Sequence, residues 1–356
     1  MTPPTHNVLV LGAGGYLGHA IATAYVRTGR WRAYGQIRNP SHAARLAASE
    51  ITPILARDLA DPNLPATLAS HAPHYNAIVV AIDDAMFGDA YPAHLDTLIR
   101  LSRAIAAFSR RATNGTVKPL VLLSSGLKDF GETGLHGEVG LKPITEESPL
   151  NPPNATRVRA VTCGQILEQG GGEEEDGFDA VLVRPSNLYG LSGSAYGYFC
   201  KMAERVAAAD ASGELVLGAD PRTILHSAHV EDAAEAYVAL SADGLREAVR
   251  GQSFNVAGSR YETLGEIGEA LVREYGIKGG VRYDPGVKER AGPGLDFFIV
   301  GFSEWVSSEK IRRVTGWSDR RATFAEDIAV YRRAYEAALQ QGHPDAVRWE
   351  GAMGSH

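Results

Sequence analysis

Residues 7–29, NVLVLGAGGYLGHAIATAYVRTG, set glycines at positions 12, 15 and 18 between an apolar run and a segment with helical spacing. A run as apolar as NVLVL suits a strand covered on both faces, and the following apolar periodicity ends on a glycine stop. The turn between them has to be sharp. Gly12 permits that turn, Gly15 lets the backbone approach a bound group, and Gly18 lets the new helix pack against the strand. The helix start, Tyr16 and Leu17 included, offers unpaired N–H groups and the positive end of a dipole, which together favour a phosphate. This strand–turn–helix setting predicts a dinucleotide whose pyrophosphate rests on the turn.

The rest of the first half keeps the same rhythm. Strand-like segments at 31–38, 51–55, 76–82, 118–125 and 178–190 alternate with helical spacing, most clearly at 91–110. Apolar strands separated by helices predict an α/β fold, a Rossmann-type doubly wound parallel sheet covered on both faces. Beyond Gly190 the rhythm loosens. A helix at 229–240 and a strand at 253–258 return to the sheet, and helices are expected at 263–276 and 324–340. The domain expectation is a dinucleotide-binding core over 5–190 with 225–258 returning to it. Residues 191–224 and 259–340 then form a smaller C-terminal substrate domain. Residues 341–356 are read as a tail, and the final GSH as a cloning linker without function.

Composition narrows the classes of function. A net charge of −7 over 356 residues argues against a nucleic-acid-binding surface. No run approaches the ~18 apolar residues of a membrane span, and MTPPTHN lacks the basic region of a signal peptide. Two cysteines, Cys163 and Cys200, form neither a disulfide framework nor a metal-ligand spacing. A cytoplasmic protein with a small-molecule substrate and no metal is expected. The sequence admits a homodimer without specifying one.

The end of the second strand bears on the choice of cofactor. A carboxylate there would bind the ribose 2′-hydroxyl of NAD, whereas the 2′-phosphate of NADP needs a cation. The segment QIRNPSH (36–42) carries Arg38 and no acid. A guanidinium can stack on adenine and pair with phosphate, so NADP(H) is expected. Asp58 and Leu59 follow the third strand, where an adenine amine can be met, although a capping role suits the aspartate equally.

Taken together, these residues resemble the extended short-chain dehydrogenase/reductase superfamily, of the NAD-dependent epimerase/dehydratase type. The likeness rests on Gly12, Gly15 and Gly18, on the serines Ser124 and Ser125, and on EESPLNPP (146–153) and RPSNLYG (184–190). HVEDAAEAY (229–237), FNV (254–256) and SSEKIRRVTGW (307–317) continue it. It implies a site in the cleft between core and C-terminal portion, and it adds Ala81, Ser124, Pro185 and Asn187 to the expected cofactor contacts. The superfamily's usual chemistry uses a Tyr-x-x-x-Lys pair on the helix after the fifth strand, the cation favouring a phenolate that exchanges a proton with substrate. Here that helix reads NATRVRAVTCGQILE (154–168), and the alignment puts Thr156 and Ala160 at the two positions. Both groups are missing.

SSGLKDFG (124–131) is similar to the matching segment of the progesterone 5β-reductase and iridoid synthase group. In that group a lysine of this segment contributes to the active site. Lys128 matches it, while their tyrosine has no counterpart. Lys128 is therefore a candidate to hold a substrate oxygen, the other reading being an exposed lysine paired with Asp129. Ser125 is a candidate hydrogen-bond donor to substrate, and Asp83 and Asp84 are candidate bases or turn acids after the fourth strand. His136, Arg157 and Arg159 are candidates for binding an anion. Tyr196, Tyr198, Phe199, Phe297, Phe298 and Trp305 could line a pocket or fill a core. Three functions fit these features. The first is an NADP(H)-dependent reductase of a C=C or C=O in a small metabolite, of the kind found in secondary metabolism. The second is a non-redox isomerase, cyclase, lyase or epimerase on the same scaffold, and the third is an NADP(H)-sensing binding protein.

Overall fold

A computed structural model describes residues 5–82, 89–169, 174–210, 212–286 and 297–347. The chain opens with β1 (His6–Leu11), α1 (Tyr16–Arg27), β2 (Trp31–Ile37), α2 (Ala43–Ala48) and β3 (Thr52–Leu55). It continues through α3 (Leu64–His71), β4 (Ala77–Val80), α4 (Tyr91–Ala112) and β5 (Leu120–Ser124). After a long connection come α5 (Arg157–Thr162), α6 (Gln165–Gln169), β6 (Asp179–Pro185) and β7 (Asn187–Tyr189). The single helix expected at 154–168 is broken. Its start is a short 3₁₀ turn behind two prolines, and it is interrupted at Cys163 and Gly164. Glycine inside a helix costs about 1 kcal/mol relative to alanine, which makes this a natural point of interruption.

Further on lie α7 (Gly197–Ala209), β8 (Leu215–Leu217), β9 (Ile224–Leu225), β10 (Ser227–His229) and α8 (Val230–Leu240). Then come α9 (Arg246–Val249), β11 (Gln252–Val256), β12 (Glu262–Thr263), α10 (Leu264–Tyr275) and β13 (Val281–Tyr283). The last helices are α11 (Glu309–Thr315) and α12 (Ile328–Gln340).

Seven strands form one parallel sheet in the order β11-β6-β5-β4-β1-β2-β3. Because side chains alternate along a strand, β1 sends Val8 and Val10 to one face and Leu9 and Leu11 to the other. The first pair packs with Ile21 and Tyr25 of α1 and Ala233 and Tyr237 of α8. The second packs with Leu68 of α3 and Leu95 and Leu98 of α4. Both faces are thus covered, as the apolar strands required. A separate apolar cluster joins Phe199 of α7, Leu271 of α10, Tyr331 of α12 and Phe324, which precedes that helix.

The order of strands reverses between β1 and β4, and open α/β sheets bind ligands at the carboxyl ends of the strands beside such a reversal. The glycine turn leaves β1 there. Gly12 has φ +84°, and a Cβ on it would lie 2.5 Å from the Ala81 carbonyl oxygen at the end of β4. A Cβ on Gly18 would stand 2.3 Å from the Gly12 carbonyl oxygen. Backbone cannot yield as a side-chain end does, so Gly18→Ala should cost about 1–3 kcal/mol in urea or thermal unfolding. A variant as stable as the parent would show that α1 does not need this close approach.

Candidate active site

At the carboxyl edge of the sheet the glycine turn is closed by its own polar contacts. The Gly12 N–H donates to Gln36 Oε1 at 3.0 Å, and Gln36 Nε2 donates to the Ala56 carbonyl at 2.6 Å. No side chain caps the start of α1, whose N-cap is Gly15. A Cβ on Gly15 would meet only the Gly12 carbonyl oxygen, at 3.4 Å. The turn is a cradle that a side chain would fill, beside an uncapped helix start, and these residues fit a dinucleotide pyrophosphate. Backbone from Gly12, Gly15, Tyr16, Leu17 and Gly18 would hold it. The Tyr16 phenol is turned away and donates to the Gly190 carbonyl at 2.6 Å.

Arg38 is exposed just past β2, while Gln36, the polar side chain inside the strand end, is buried and committed to the turn. Asp58 accepts the Ala60 N–H at 2.8 Å within a turn and caps no helix, and Leu59 packs against the apolar cluster shared with α3 and α4. Arg45 of α2 was not singled out from sequence, yet its Nη2 reaches the Gly14 carbonyl at 2.5 Å. Its Nη1 meets His343 at 2.8 Å and Asp345 at 3.4 Å, so the segment after α12 borders the glycine turn.

The end of β5 divides into two sides. Ser124 Oγ shares a 2.8 Å hydrogen bond with the Tyr237 phenol of α8. Ser125 Oγ donates to Asp129 Oδ2 at 2.6 Å. Asp129 has no solvent exposure, and it also receives Arg159 Nη2 of α5 at 2.7 Å and Arg184 Nε of β6 at 3.3 Å. Arg159 is thus a buried structural partner, and Arg157 stays exposed with Asn154 at 3.4 Å. His136 pairs with Tyr261 at 2.9 Å on the surface. Thr156 and Ala160, where the missing pair would stand, are both buried.

Lys128 does not pair with Asp129. Its Nζ is buried without a hydrogen-bond partner and lies 4.2 Å from the centre of the Phe302 ring. Burial lowers the Lys128 pKa, against the opposing pull of Glu304 and Glu132. Pro185 ends β6 and Asn187 opens β7 close by, and Ala81 follows β4. Asp83 and Asp84 lie outside the described residues, as do the side chains of Phe297 and Phe298. Tyr196 and Phe199 pack in the apolar cluster with Phe324, while Trp305 is half-buried against Tyr261.

Glu304 escaped the sequence reading. It is 2% exposed, and its Oε1 has no hydrogen-bond partner. A lone acid inside the apolar run IVGFSEWV was the available signal. The segment around it is tightly laced. Glu304 N–H donates to the Ile224 carbonyl at 2.9 Å, Thr133 N–H to the Ser303 carbonyl at 2.8 Å, and Ile144 N–H to the Trp305 carbonyl at 2.8 Å. A cavity of about 220 Å³ lined by His6, Trp31, Lys118 and Asp243 lies at the opposite, amino-terminal edge of the sheet, away from this chemistry.

A family model described as the NAD dependent epimerase/dehydratase family matches residues 8–257. The chain belongs to that family. No curated protein matches it. Among solved structures, UDP-glucose 4-epimerase of Thermotoga maritima with UDP-glucose is 18% identical, with a TM-score of 0.67, covering 94% of this chain and 99% of that one. dTDP-glucose 4,6-dehydratase of Bacillus anthracis in complex with NAD is 16% identical, with a TM-score of 0.66 and coverage of 94% and 97%. UDP-glucuronic acid 4-epimerase of Bacillus cereus, in complex with UDP-glucuronic acid and NAD, is 13% identical, with a TM-score of 0.64 and coverage of 93% and 99%. At these identities the likeness is one of fold, and the family's Rossmann-type sheet is the one found here. Among the described residues no helix is long and apolar enough to cross a membrane.

The buried charges around Asp129 give the site a rigid floor, and removing one charge leaves two guanidinium groups without their carboxylate. Asp129→Asn should cost about 3–5 kcal/mol in denaturant unfolding, the range for breaking a buried ion pair. Ser125→Ala, which removes one hydrogen bond to a charged group, should cost about 1.5–3 kcal/mol. Equal stability of Asp129→Asn and the parent would contradict this role.

Proposed function

We propose that the protein is an NADP(H)-dependent reductase acting on a C=O, or on a C=C conjugated to one, in a small metabolite. The observation that carries this reading is Lys128, whose ammonium is buried without a hydrogen-bond partner and set just beyond β5 at the carboxyl edge of the sheet. A cation in low dielectric binds a developing oxyanion far better than one in water. Lys128 would hold the substrate oxygen as negative charge grows on it, the task for which the family's phenol is absent. The nicotinamide, when bound, supplies the hydride.

Preference for the phosphorylated dinucleotide follows from Arg38, exposed past a β2 end that offers no acid. The 2′-phosphate would lie against that guanidinium. A non-redox epimerase or isomerase is the second reading, and family membership favours it. Loss of NADPH absorbance over a panel of enones and ketones separates the two, since turnover without NADPH loss supports the non-redox reading.

Two variants test the assignment. Lys128→Ala should lower kcat/KM by about tenfold or more, as losing a transition-state contact of ~1.4 kcal/mol requires, while leaving the NADPH Kd nearly unchanged. Activity within about threefold of the parent would remove Lys128 from the mechanism. Arg38→Ala should weaken NADPH about tenfold or more in calorimetry and leave NADH binding unaltered, as expected for one charge-assisted phosphate contact. Equal losses for both dinucleotides would contradict the preference.

A further inference from the structure

Among the described residues whose buried polar atoms lack hydrogen-bond partners are Lys128 and Glu304, which come from separate segments. Lys128 Nζ rises from the turn after β5, and Glu304 Oε1 comes from the segment 302–306 that closes over that turn. Phe302, two residues before Glu304, carries the ring beneath the lysine ammonium. Buried donors and acceptors are nearly always satisfied, so two such groups on segments that pack together mark a place where a polar ligand can bind. The pair makes no mutual hydrogen bond. What would satisfy both is a single oxygen that accepts from the ammonium and exchanges a proton with the carboxyl group.

The fixing of Glu304 is itself unusual for a residue in a connecting segment. Ser303 Oγ accepts the Ile224 N–H at 3.1 Å and donates to the Gly134 carbonyl at 2.9 Å. On the other side, Val306 N–H donates to His226 Nδ1 at 3.1 Å, while His226 Nε2 lies 2.9 Å from the Gly258 carbonyl. Those two contacts suit the neutral imidazole, and burial lowers its pKa to about 4. The backbone on both sides of Glu304 is thus pinned, which fixes the root of its side chain.

We infer that Lys128 and Glu304 form a proton-transfer couple gripping the substrate's carbonyl oxygen, with Glu304 as the acid. The inference rests on the reductase reading. In the reduction the oxygen gains charge, Lys128 binds it, and the carboxyl O–H bond breaks as the new substrate O–H bond forms. Glu304 is left as a carboxylate beside the ammonium, and the two electrons come from the reduced dinucleotide already named. For an enone the same transfer gives the enol, which then returns to the ketone.

The electrostatics agree with the geometry. Burial raises the Glu304 pKa to about 7, with Lys128 and Arg159 acting against it and Asp129 with it. Glu304 therefore holds its proton to a higher pH than an ordinary carboxyl group does. The other groups facing the couple are Glu132, exposed, and Arg184, committed to Asp129. Among the described residues, the buried cations Lys128, Arg159 and Arg184 outnumber the buried acids Asp129 and Glu304 beside them by one, a surplus that grows when Glu304 is protonated.

The test uses 2,4-dinitrophenolate, an oxyanion that stays ionised throughout, titrated into the full-length protein without dinucleotide between pH 6 and pH 8.5. Wild-type affinity should fall by about tenfold or more as pH rises through 7, the size of one new like-charge contact. Glu304→Gln should bind with no such fall, and Lys128→Met should bind poorly at every pH. Should Glu304→Gln not fold, infrared spectroscopy of wild type and Lys128→Met reads the couple instead. The protonated carboxyl band should persist to higher pH without the lysine. Identical pH dependence in wild type and Glu304→Gln, or a carboxyl band indifferent to Lys128→Met, would overturn the couple. A wild type that consumes no NADPH but shows the predicted probe titration would instead sink the reductase reading and leave the couple standing.

Discussion

Asp129 is a carboxylate wholly removed from water, and such a charge is costly unless cations and donors surround it closely. It is met by a guanidinium from α5, a guanidinium from β6 and the Ser125 hydroxyl. Three separate pieces of chain are tied at one point as a result: the turn after β5, the broken helix, and the last strand before the cleft. Lys128 is the residue immediately before it. With its neighbour pinned, the lysine stem is aimed over Phe302 instead of toward solvent. The position of the candidate catalytic cation is therefore a consequence of a buried ion cluster.

The glycine turn is the second constraint, and it acts by contact instead of charge. Gly12 and Gly18 bring β1, β4 and α1 closer than any side chain allows. That closeness leaves the start of α1 open at the reversal of strand order, where the sheet's geometry gathers ligands. Floor and cradle lie on one edge of one sheet.

Much of this was legible in the chain. Apolar runs such as NVLVL and AIVV gave strands because a parallel sheet buries both faces, and the glycine spacing located the turn. Lys128 was visible through its segment, but its surroundings were not. Sequence places Asp129 next to it and suggests a pair, whereas the two guanidinium groups that claim the aspartate stand 30 and 55 residues away. Glu304 lies further still, and only its isolation among apolar neighbours hinted at burial. Contacts made across such separations depend on how segments close over the sheet, which no local pattern encodes. The break at Gly164 was missed for a simpler reason: the apolar spacing runs through it.

The proposed function rests on a dinucleotide lying on the glycine turn with its reactive ring facing Lys128 and no phenol. A crystal structure of the complex with NADP⁺ and a ketone tests this most directly. The pyrophosphate should lie on the backbone of residues 15–18 and the ketone oxygen within hydrogen-bond reach of Lys128 Nζ, about 2.6–3.2 Å. A ketone oxygen bound instead to a tyrosine hydroxyl, or a dinucleotide bound away from the turn, would contradict it.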